Sequence, residues 1–200
     1  VANVRVESSR FERCASGVKM FDCDDVVVHA VTANANRRHG IVFLFSHRWH
    51  VGNCVTRGNG SEDDGGWGIA AGGDPSTHVL PNSDFTITSN ISEDNVSGGI
   101  TLDPTVPTQS EVIWPQRATI SGNVCRNATQ HHGIQVTHAS DVVITGNVCT
   151  DNRRGSGIQV LSSSHVLVQG NMCFGNRNGI GLFSNEVVSD PGYHVLGVNM

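Results

Sequence analysis

The strongest constraint on the fold of this chain is an internal repeat. A Gly-Asn pair followed two residues later by Cys occurs at 122–125, 146–149 and 170–173, so successive copies are 24 residues apart. A fixed period of this length indicates that the chain is built from equivalent units, each of which buries its apolar side only by stacking on the next. The repeat therefore predicts a solenoid.

Each unit also contains short stretches in which apolar and polar residues alternate, as in "VVITGN" from residue 142 and "VLVQGN" from residue 166. Alternation with a period of two is typical of half-buried strands, and the spacing of an amphipathic helix is missing. A second series pairs glycine with an aliphatic residue, at Gly17-Val18, Gly40-Ile41, Gly68-Ile69, Gly99-Ile100, Gly133-Ile134, Gly157-Ile158 and Gly179-Ile180. Together the two series predict an all-β parallel solenoid of about seven to eight coils, each of about 24 residues.

Stacked coils give the repeated residues their predicted roles. In one coil, Val142, Ile144 and Cys149 are expected to point inward, and Gly146 to form the corner between two strands. The asparagines of equivalent corners are expected to stack as a ladder in which each side-chain amide binds the next coil, at Asn90, Asn123, Asn147 and Asn171. Cys125, Cys149 and Cys173 are expected to be reduced, buried thiols, because three residues in one stack cannot all pair with each other.

Composition excludes several classes of function. The chain has 200 residues, a formal net charge of −5 and only 16% charged residues, so no basic surface for nucleic acid is expected. No apolar run reaches the ~18 to 20 residues of a membrane helix. The chain begins without Met and inside the repeat, and neither end shows a cap. We therefore expect a segment of a longer chain, with flanking domains or a partner subunit covering both ends.

The repeated Gly-Asn-x-Cys corner, the later Gly-Ile pair and the coil length resemble right-handed parallel β-helix proteins of the pectin-lyase-like family. That family includes pectate and alginate lyases, polygalacturonase-type hydrolases, mannuronan epimerases and phage tailspike depolymerases. The resemblance covers almost the whole chain and implies one right-handed parallel β-helix domain. It also implies that the sheet of the Gly-Ile strands and its flanking loops hold a saccharide cleft, and an extracellular or virion location, with a homotrimer as one assembly.

Four insertions interrupt the repeat beside the Gly-Ile strands. Three of them follow such a strand, at 72–83, 103–117 and 185–192, and the fourth precedes one, at 60–67. Insertions at the turns of a solenoid usually carry its binding face. Carboxylates there can serve as acid and base, and tryptophan rings can cover the apolar face of a sugar. The candidate catalytic residues are Asp74, Asp103, Asp64 and Glu62, with Asp74 and Asp103 as the first pair. The candidate polysaccharide-binding residues are Trp67, Trp114, His78, Gln135, Gln159 and Glu111.

These residues also have simpler interpretations. Asp74-Pro75 and Asp103-Pro104 are common turn openers. The acidic run at 62–64 is more typical of a solvated loop than of a Ca²⁺ site, and it lacks the spacing of an EF-hand loop. No metal-ligand spacing occurs elsewhere, so no cofactor is predicted, and Ca²⁺ is kept as the alternative. Trp114 could instead pack its loop onto the coils.

Hydrolysis of a polysaccharide is favoured over elimination. The family's lyases use a Lys or Arg base, but Lys19 lies two or more coils from the acidic loops, and the Tyr-Gly and Asp-Pro-His signature of the epimerases is absent. The alternatives are a non-catalytic tailspike or tail-fibre module that binds a surface glycan, and a spacer with no glycan affinity.

Overall fold

The protein is seen in a computed structural model that describes residues 1–72, 82–103 and 115–183. Within these ranges the chain forms 21 β-strands and no helix, and hence no helix that could cross a bilayer. The strands are β1 Ala2–Glu7, β2 Arg10–Glu12, β3 Val18–Phe21, β4 Asp24–His29, β5 Thr32–Asn34, β6 Ile41–Leu44, β7 His47–Gly52, β8 Val55–Arg57, β9 Trp67–Gly72, β10 Ser83–Thr88, β11 Ile91–Glu93, β12 Gly98–Leu102, β13 Gln116–Ser121, β14 Val124–Arg126, β15 Ile134–Thr137, β16 Ser140–Thr145, β17 Val148–Thr150, β18 Ser156–Leu161, β19 Ser164–Gln169, β20 Met172–Phe174 and β21 Asn178–Phe183.

The strands form three parallel sheets of seven strands each. The first sheet has the order β1-β4-β7-β10-β13-β16-β19, the second β2-β5-β8-β11-β14-β17-β20, and the third β3-β6-β9-β12-β15-β18-β21. Each successive group of three strands therefore makes one coil that visits the three sheets in turn. The prediction of a single-stranded parallel β-helix is confirmed, with seven coils in the described residues.

The registers between coils confirm the predicted stacking of equivalent residues. In the third sheet Ile134 is paired with Ile158, and Ile158 with Ile180, so the aliphatic residues form a continuous row along the axis. Ile134 and Ile158 are fully buried, as are Val142 and Ile144 of the first sheet. The apolar interior lies between the three sheets, and no coil could bury these side chains without its neighbours.

The predicted asparagine ladder is also confirmed. The Nδ2 group of Asn90 donates to Oδ1 of Asn123, Asn123 donates to Asn147, and Asn147 donates to Asn171, each over 2.9 Å. The same Oδ1 atoms accept the backbone N–H of the preceding coil's asparagine. The residue before each of the last three asparagines is a glycine with φ near +64°, as at Gly146, so the glycine takes the left-handed conformation of the corner.

A second asparagine ladder, which the sequence analysis missed, follows the other corner, between the second and third sheets. Asn36 donates to Asn59, Asn59 donates to Asn95, and Asn152 donates to Asn176. Between Asn95 and Asn152 the equivalent position is Ala128, which keeps only its backbone N–H bond to Oδ1 of Asn152. Uneven insertions separate these asparagines in sequence, so no constant interval marks them.

The predicted row of thiols is present, since Cys125 is paired with Cys149 and Cys149 with Cys173. All six cysteines are free, and Cys14 is the exposed one. Cys125 and Cys149 are buried as predicted, but Cys173 is only half-buried, because its strand β20 is the last of its sheet in the described residues. The pKa of Cys149 is raised well above its usual value by its contacts with the thiol of Cys125 and by burial, which outweigh a lowering by Cys173. These thiols are therefore packing groups rather than reactive nucleophiles.

Ion pairs join coils on the outer faces of the first and second sheets. The Glu93 side chain is 4% exposed and accepts hydrogen bonds from Arg57 and Arg126 of the two adjacent coils. Burial works to raise the pKa of Glu93, but the hydrogen bonds from the two guanidinium groups outweigh it and lower that pKa. On the first sheet, Arg117 binds Asp84 through two hydrogen bonds of 2.6 and 2.8 Å.

Candidate functional site: a pocket on the third sheet

A pocket of about 160 Å³ opens on the outer face of the third sheet, where β6, β9 and β12 lie side by side in three successive coils. This is the sheet of the Gly-Ile strands, on which the resemblance placed the cleft. The pocket is lined by His39, Val42, Leu44, Trp67, Ala70, Gly72, Thr101 and Asp103.

The floor of the pocket is one row of outward-facing residues. Val42 is paired with Ala70, and Ala70 with Thr101, so the three lie across adjacent strands. Ala70 and, in the next row, Gly72 are small, which leaves a depression. A Cβ atom on Gly72 would meet nothing closer than the carbonyl oxygen of Asp103 at 3.7 Å.

The floor of the pocket includes the buried hydroxyl of Thr101. The residue is only 2% exposed, and its Oγ1 has no hydrogen-bond partner among the described residues. Burying a hydroxyl without a partner costs about 1 to 3 kcal/mol. A bound molecule that supplied the partner would remove this cost, so the Thr101 hydroxyl is suited to contact a polar ligand.

One wall is formed by the indole of Trp67. The ring extends over the next coil, where a Cβ on Gly98 would come within 2.3 Å of it, so the absence of a side chain at Gly98 makes room for the indole. Its far edge reaches His131, whose ring lies nearly parallel at a centroid distance of 6.2 Å. A half-buried tryptophan held in this way presents a flat apolar surface at low entropic cost.

His39 lies beside Trp67 and is held in place by a hydrogen bond from the backbone. Its Nδ1 accepts the N–H of Trp67 at 3.2 Å. Burial lowers the pKa of His39 to about 4, and the positive charges of Arg38 and Lys19 act in the same direction. The imidazole is therefore neutral at pH 7 with its proton on Nε2, which makes it a hydrogen-bond donor.

Asp103 stands at the opposite end of the pocket, directly after β12. Its side chain reaches solvent, but the surrounding protein removes much of the water from the carboxyl, and this desolvation raises the pKa of Asp103. A carboxyl with a raised pKa at a pocket rim is suited to donate a proton.

Four of the residues proposed from the sequence thus share this face. Trp67 and Asp103 line the pocket. Gln135 is paired with Thr101, and Gln159 with Gln135, so both continue the floor row into the next two coils. Both glutamines are half-buried, and the Gln135 amide donates to the Thr137 hydroxyl at 3.1 Å.

Glu62 and Asp64 lie elsewhere. They belong to an exposed turn closed by a bridge between Ser61 and Gly65, just before β9 begins. Asp64 pairs with Arg37 at 3.1 Å and does not line the pocket. Asp103 follows the far ends of the strands, and six residues of strand span ~17 to 20 Å. That separation exceeds the ~6.5 to 9.5 Å between the carboxyl groups of an inverting glycosidase.

The remaining candidates, Asp74, His78, Glu111 and Trp114, fall outside the described residues, as do most of the insertions 72–83 and 103–117 and all of 185–192. Their proposed roles stay predictions. Within the described ranges, no group of three or more His, Cys, Asp or Glu residues could hold a metal ion.

Two residues of the pocket, His39 and Thr101, were not proposed as site residues from the sequence. A signal for His39 exists, because the tripeptide His-Gly-Ile occurs at 39–41 and again at 132–134. The second histidine repeats the contact of the first, since Nδ1 of His132 accepts the backbone N–H of Ser156 at 2.9 Å. Nothing in the sequence marks the Thr101 hydroxyl.

A family model described as a right handed beta helix region matches residues 78–190, more than half of the chain. The chain belongs to this family. No curated protein matches it significantly.

Solved structures agree on the fold. The periplasmic alginate epimerase AlgG superposes with a TM-score of 0.75 at 19% sequence identity, over 94% of this chain and 39% of that one. The A-module of mannuronan C-5 epimerase AlgE4 from Azotobacter vinelandii gives 0.67 at 18%, over 98% and 58%. PfbA, a surface adhesin of Streptococcus pneumoniae, gives 0.69 at 14%, over 94% and 54%. The chain thus spans between 39% and 58% of the length of these proteins.

Proposed function

We propose that the protein binds a polysaccharide along the outer face of the third sheet and hydrolyses it at the pocket, with Asp103 as the general acid. The observation that carries the proposal is the buried hydroxyl of Thr101, which finds no hydrogen-bond partner within residues 1–72, 82–103 and 115–183 and lies on the pocket floor among groups suited to a sugar. Two alginate epimerases share the fold, which supports a polysaccharide partner.

The pocket groups have complementary tasks in binding. The indole of Trp67 would cover the apolar C–H face of one sugar unit. The Nε2–H of His39 and the hydroxyl of Thr101 would bind sugar hydroxyls, and the Thr101 oxygen would regain the partner that it lacks. Gln135 and Gln159 would contact the sugar units that follow along the axis.

Hydrolysis would proceed by transfer of the Asp103 proton to the glycosidic oxygen as the bond to the anomeric carbon breaks. A second carboxylate would take a proton from water, and the resulting hydroxide oxygen would bond to the anomeric carbon. Asp74 is the candidate for this base from the sequence. The raised pKa of Asp103 keeps a larger fraction of its carboxyl protonated in mildly acidic solution, as an acid catalyst requires.

The test is incubation with a panel of polysaccharides, followed by measurement of binding, reducing ends and ultraviolet absorbance. Asp103→Asn should bind glycan but release at least about a hundredfold fewer reducing ends, because general acid catalysis contributes about that factor or more. The activity should fall as pH rises through the Asp103 pKa, since the protonated form is the active one. Full activity in Asp103→Asn would eliminate this mechanism.

A non-catalytic glycan-binding module is the second candidate. It is favoured by the fact that Asp103 is the one carboxylate among the described residues that line the pocket, whereas hydrolysis needs two. Glycan binding without new reducing ends and without ultraviolet-absorbing products would select this function.

An extracellular location is proposed with either function, in keeping with the periplasmic and surface locations named for AlgG and PfbA. The virion location and the homotrimer remain predictions from the sequence. Sedimentation equilibrium of the full-length protein would test the trimer.

A further inference from the structure

The positions of the cationic side chains indicate which class of glycan the third sheet can bind. The sequence has 13 Lys and Arg residues, and the segments 73–81, 104–114 and 184–200 contain none of them. Every cation of the chain therefore lies in the described residues. Their distribution over the three sheets can be compared directly with the position of the pocket.

The outer faces of the first and second sheets carry six arginines, all engaged by carboxylates. Arg5, Arg48 and Arg117 of the first sheet pair with Glu7, Asp25 and Asp84. Arg10, Arg57 and Arg126 of the second sheet pair with Glu12 and Glu93.

The third sheet has a single cation in its strands, Lys19 of β3. Lys19 is paired with Val42 at the first margin of the pocket and is exposed, but it does not line the pocket. It lies three coils from Asp103, a separation of ~14 Å at the spacing of parallel strands. The floor row runs away from Lys19, through Thr101 to the two uncharged glutamines of β15 and β18. Arg153 and Arg154 lie in the turn before β18, and Arg177 directly precedes β21, so these cations lie at the edge of the sheet where the strands begin and not in the pocket.

The nearest other cations are Arg37 and Arg38, which precede His39. Both face Asp64, at 3.1 and 4.0 Å. Asp64 belongs to the turn that also contains Glu62 and Asp63, so three carboxylates stand beside two guanidinium groups. One end of the pocket thus has a net negative turn and the other end has Asp103.

An anionic glycan would be poorly accommodated by this arrangement. Carboxylate and sulfate groups of a glycan are usually bound by guanidinium or ammonium groups, because a desolvated anion needs an opposite charge. Here the anion would meet the carboxyl group of Asp103 and a protein of net charge −5. A neutral glycan needs only what this face offers, namely an indole, a hydroxyl, a neutral imidazole and two amides.

We propose that this cleft takes an uncharged polysaccharide and discriminates against uronate-containing and sulfated ones. The glycan chain lies along the solenoid axis, from the Trp67 pocket over Gln135 and Gln159. Coils repeat every ~4.8 Å, so each coil can supply one polar contact to roughly each sugar unit. This inference rests on the proposed polysaccharide binding and specifies its substrate class.

The experiment compares the binding of uncharged glucans, mannans and galactans with that of alginate, a polyuronate, and a sulfated galactan. Calorimetry at low ionic strength, where electrostatic effects are largest, should show at least one uncharged glycan bound about tenfold or more tightly than either anionic one. Each measurement is repeated with added calcium, which could bridge an anionic glycan to the carboxylates.

Two matched variants place one new positive charge on different faces of the same coil. Gln135→Lys adds it to the cleft, and Thr119→Lys adds it to the half-buried outer position of β13 on the first sheet. Gln135→Lys should raise alginate affinity by about two- to fivefold, since a partly exposed ion pair contributes up to about that much, and Thr119→Lys should not.

The outcomes separate this inference from the proposed function. If alginate bound as tightly as every uncharged glycan, with or without calcium, the charge argument would be overturned but polysaccharide binding would stand. An equal gain of alginate affinity in both variants would also overturn it, because the effect would then come from net charge alone. Failure of every glycan to bind would overturn the proposed function, and this inference with it.

Discussion

Replacement of Asn123 by Ala should be one of the most destabilising single changes in the first asparagine ladder. Asn123 is fully buried, and its side chain makes four hydrogen bonds of 2.9 Å. Oδ1 accepts the backbone N–H and the Nδ2 group of Asn90, and Nδ2 donates to the carbonyl oxygen of Ile87 and to Oδ1 of Asn147. Alanine removes all four and leaves buried polar groups that water cannot reach.

At a net contribution of ~1 kcal/mol per buried hydrogen bond, Asn123→Ala should lower the free energy of unfolding by about 4 kcal/mol. Asn171→Ala is the matched control, because the Asn171 side chain also makes four hydrogen bonds, two of them to Asn147. Asn171 is half-buried, so water can replace its partners, and the expected loss is about 1 kcal/mol.

Urea unfolding followed by far-ultraviolet circular dichroism would give both values. Hydrogen exchange adds a local measurement, since the Asn90 amide should lose protection in Asn123→Ala because its acceptor is removed. If Asn123→Ala lowered the free energy of unfolding by less than about 1 kcal/mol, or by no more than Asn171→Ala, the buried ladder would not be a main stabilising element.

Four further predictions concern single positions. Ala128→Asn should raise the free energy of unfolding by about 1 kcal/mol, because it completes the second ladder; a lower urea midpoint would contradict this. Gly98→Ala should displace the pocket indole and weaken glycan binding, since its Cβ would lie 2.3 Å from that ring and from the carbonyl oxygen of His132. Gly179→Ala is the control and should bind normally, because its Cβ would meet no atom closer than 4.0 Å and it does not line the pocket; tryptophan fluorescence and calorimetry would compare the two. The pKa of Glu93 is lowered in the folded protein, so the Glu93 carboxylate contributes its full stabilisation at pH values above the ordinary pKa of 4.5 and loses it as the pH falls through the folded pKa. The stability deficit of Glu93→Gln should therefore vanish in acid, and a deficit that does not change with pH would refute this. A thiol reagent should modify Cys14 rapidly in the native protein, the half-buried Cys173 more slowly, and the four buried thiols only after denaturation; more than one fast thiol would count against buried, inert cysteines.

The pattern of buried residues could be predicted from the sequence because burial imposes a constraint at every coil. Ile134 and Ile158 recur at 24 residues since each must pack on the next, and Asn123 and Asn147 recur because each amide is the other's partner. The second ladder obeys the same physics. It was missed because insertions separate Asn59 from Asn95 by 36 residues, which hides the period.

The site was only partly predictable. Trp67 and Asp103 were found because they stand at insertions beside the Gly-Ile strands, and the structure places both in one pocket. Glu62 and Asp64 satisfied the same criterion, yet they lie in a turn at the other edge of the sheet. The 60–67 insertion precedes its Gly-Ile strand, whereas the other insertions follow theirs, so the order along the chain already separated Glu62 and Asp64 from Asp103 by the length of a strand.

The sequence by itself determined the parallel β-helix, the axial rows of aliphatic, asparagine and cysteine side chains, and which sheet carries the insertions. Those features follow from the local period, because every coil must bury the same face against its neighbour. Only the tertiary structure decided that His39, Trp67 and Asp103, which are 28 and 36 residues apart, share a pocket. It also decided that the Thr101 hydroxyl is buried there without a partner in the part of the chain that the structure describes. Outward side chains do not take part in the packing that repeats from coil to coil. The number of residues between outward neighbours therefore varies with the length of each insertion.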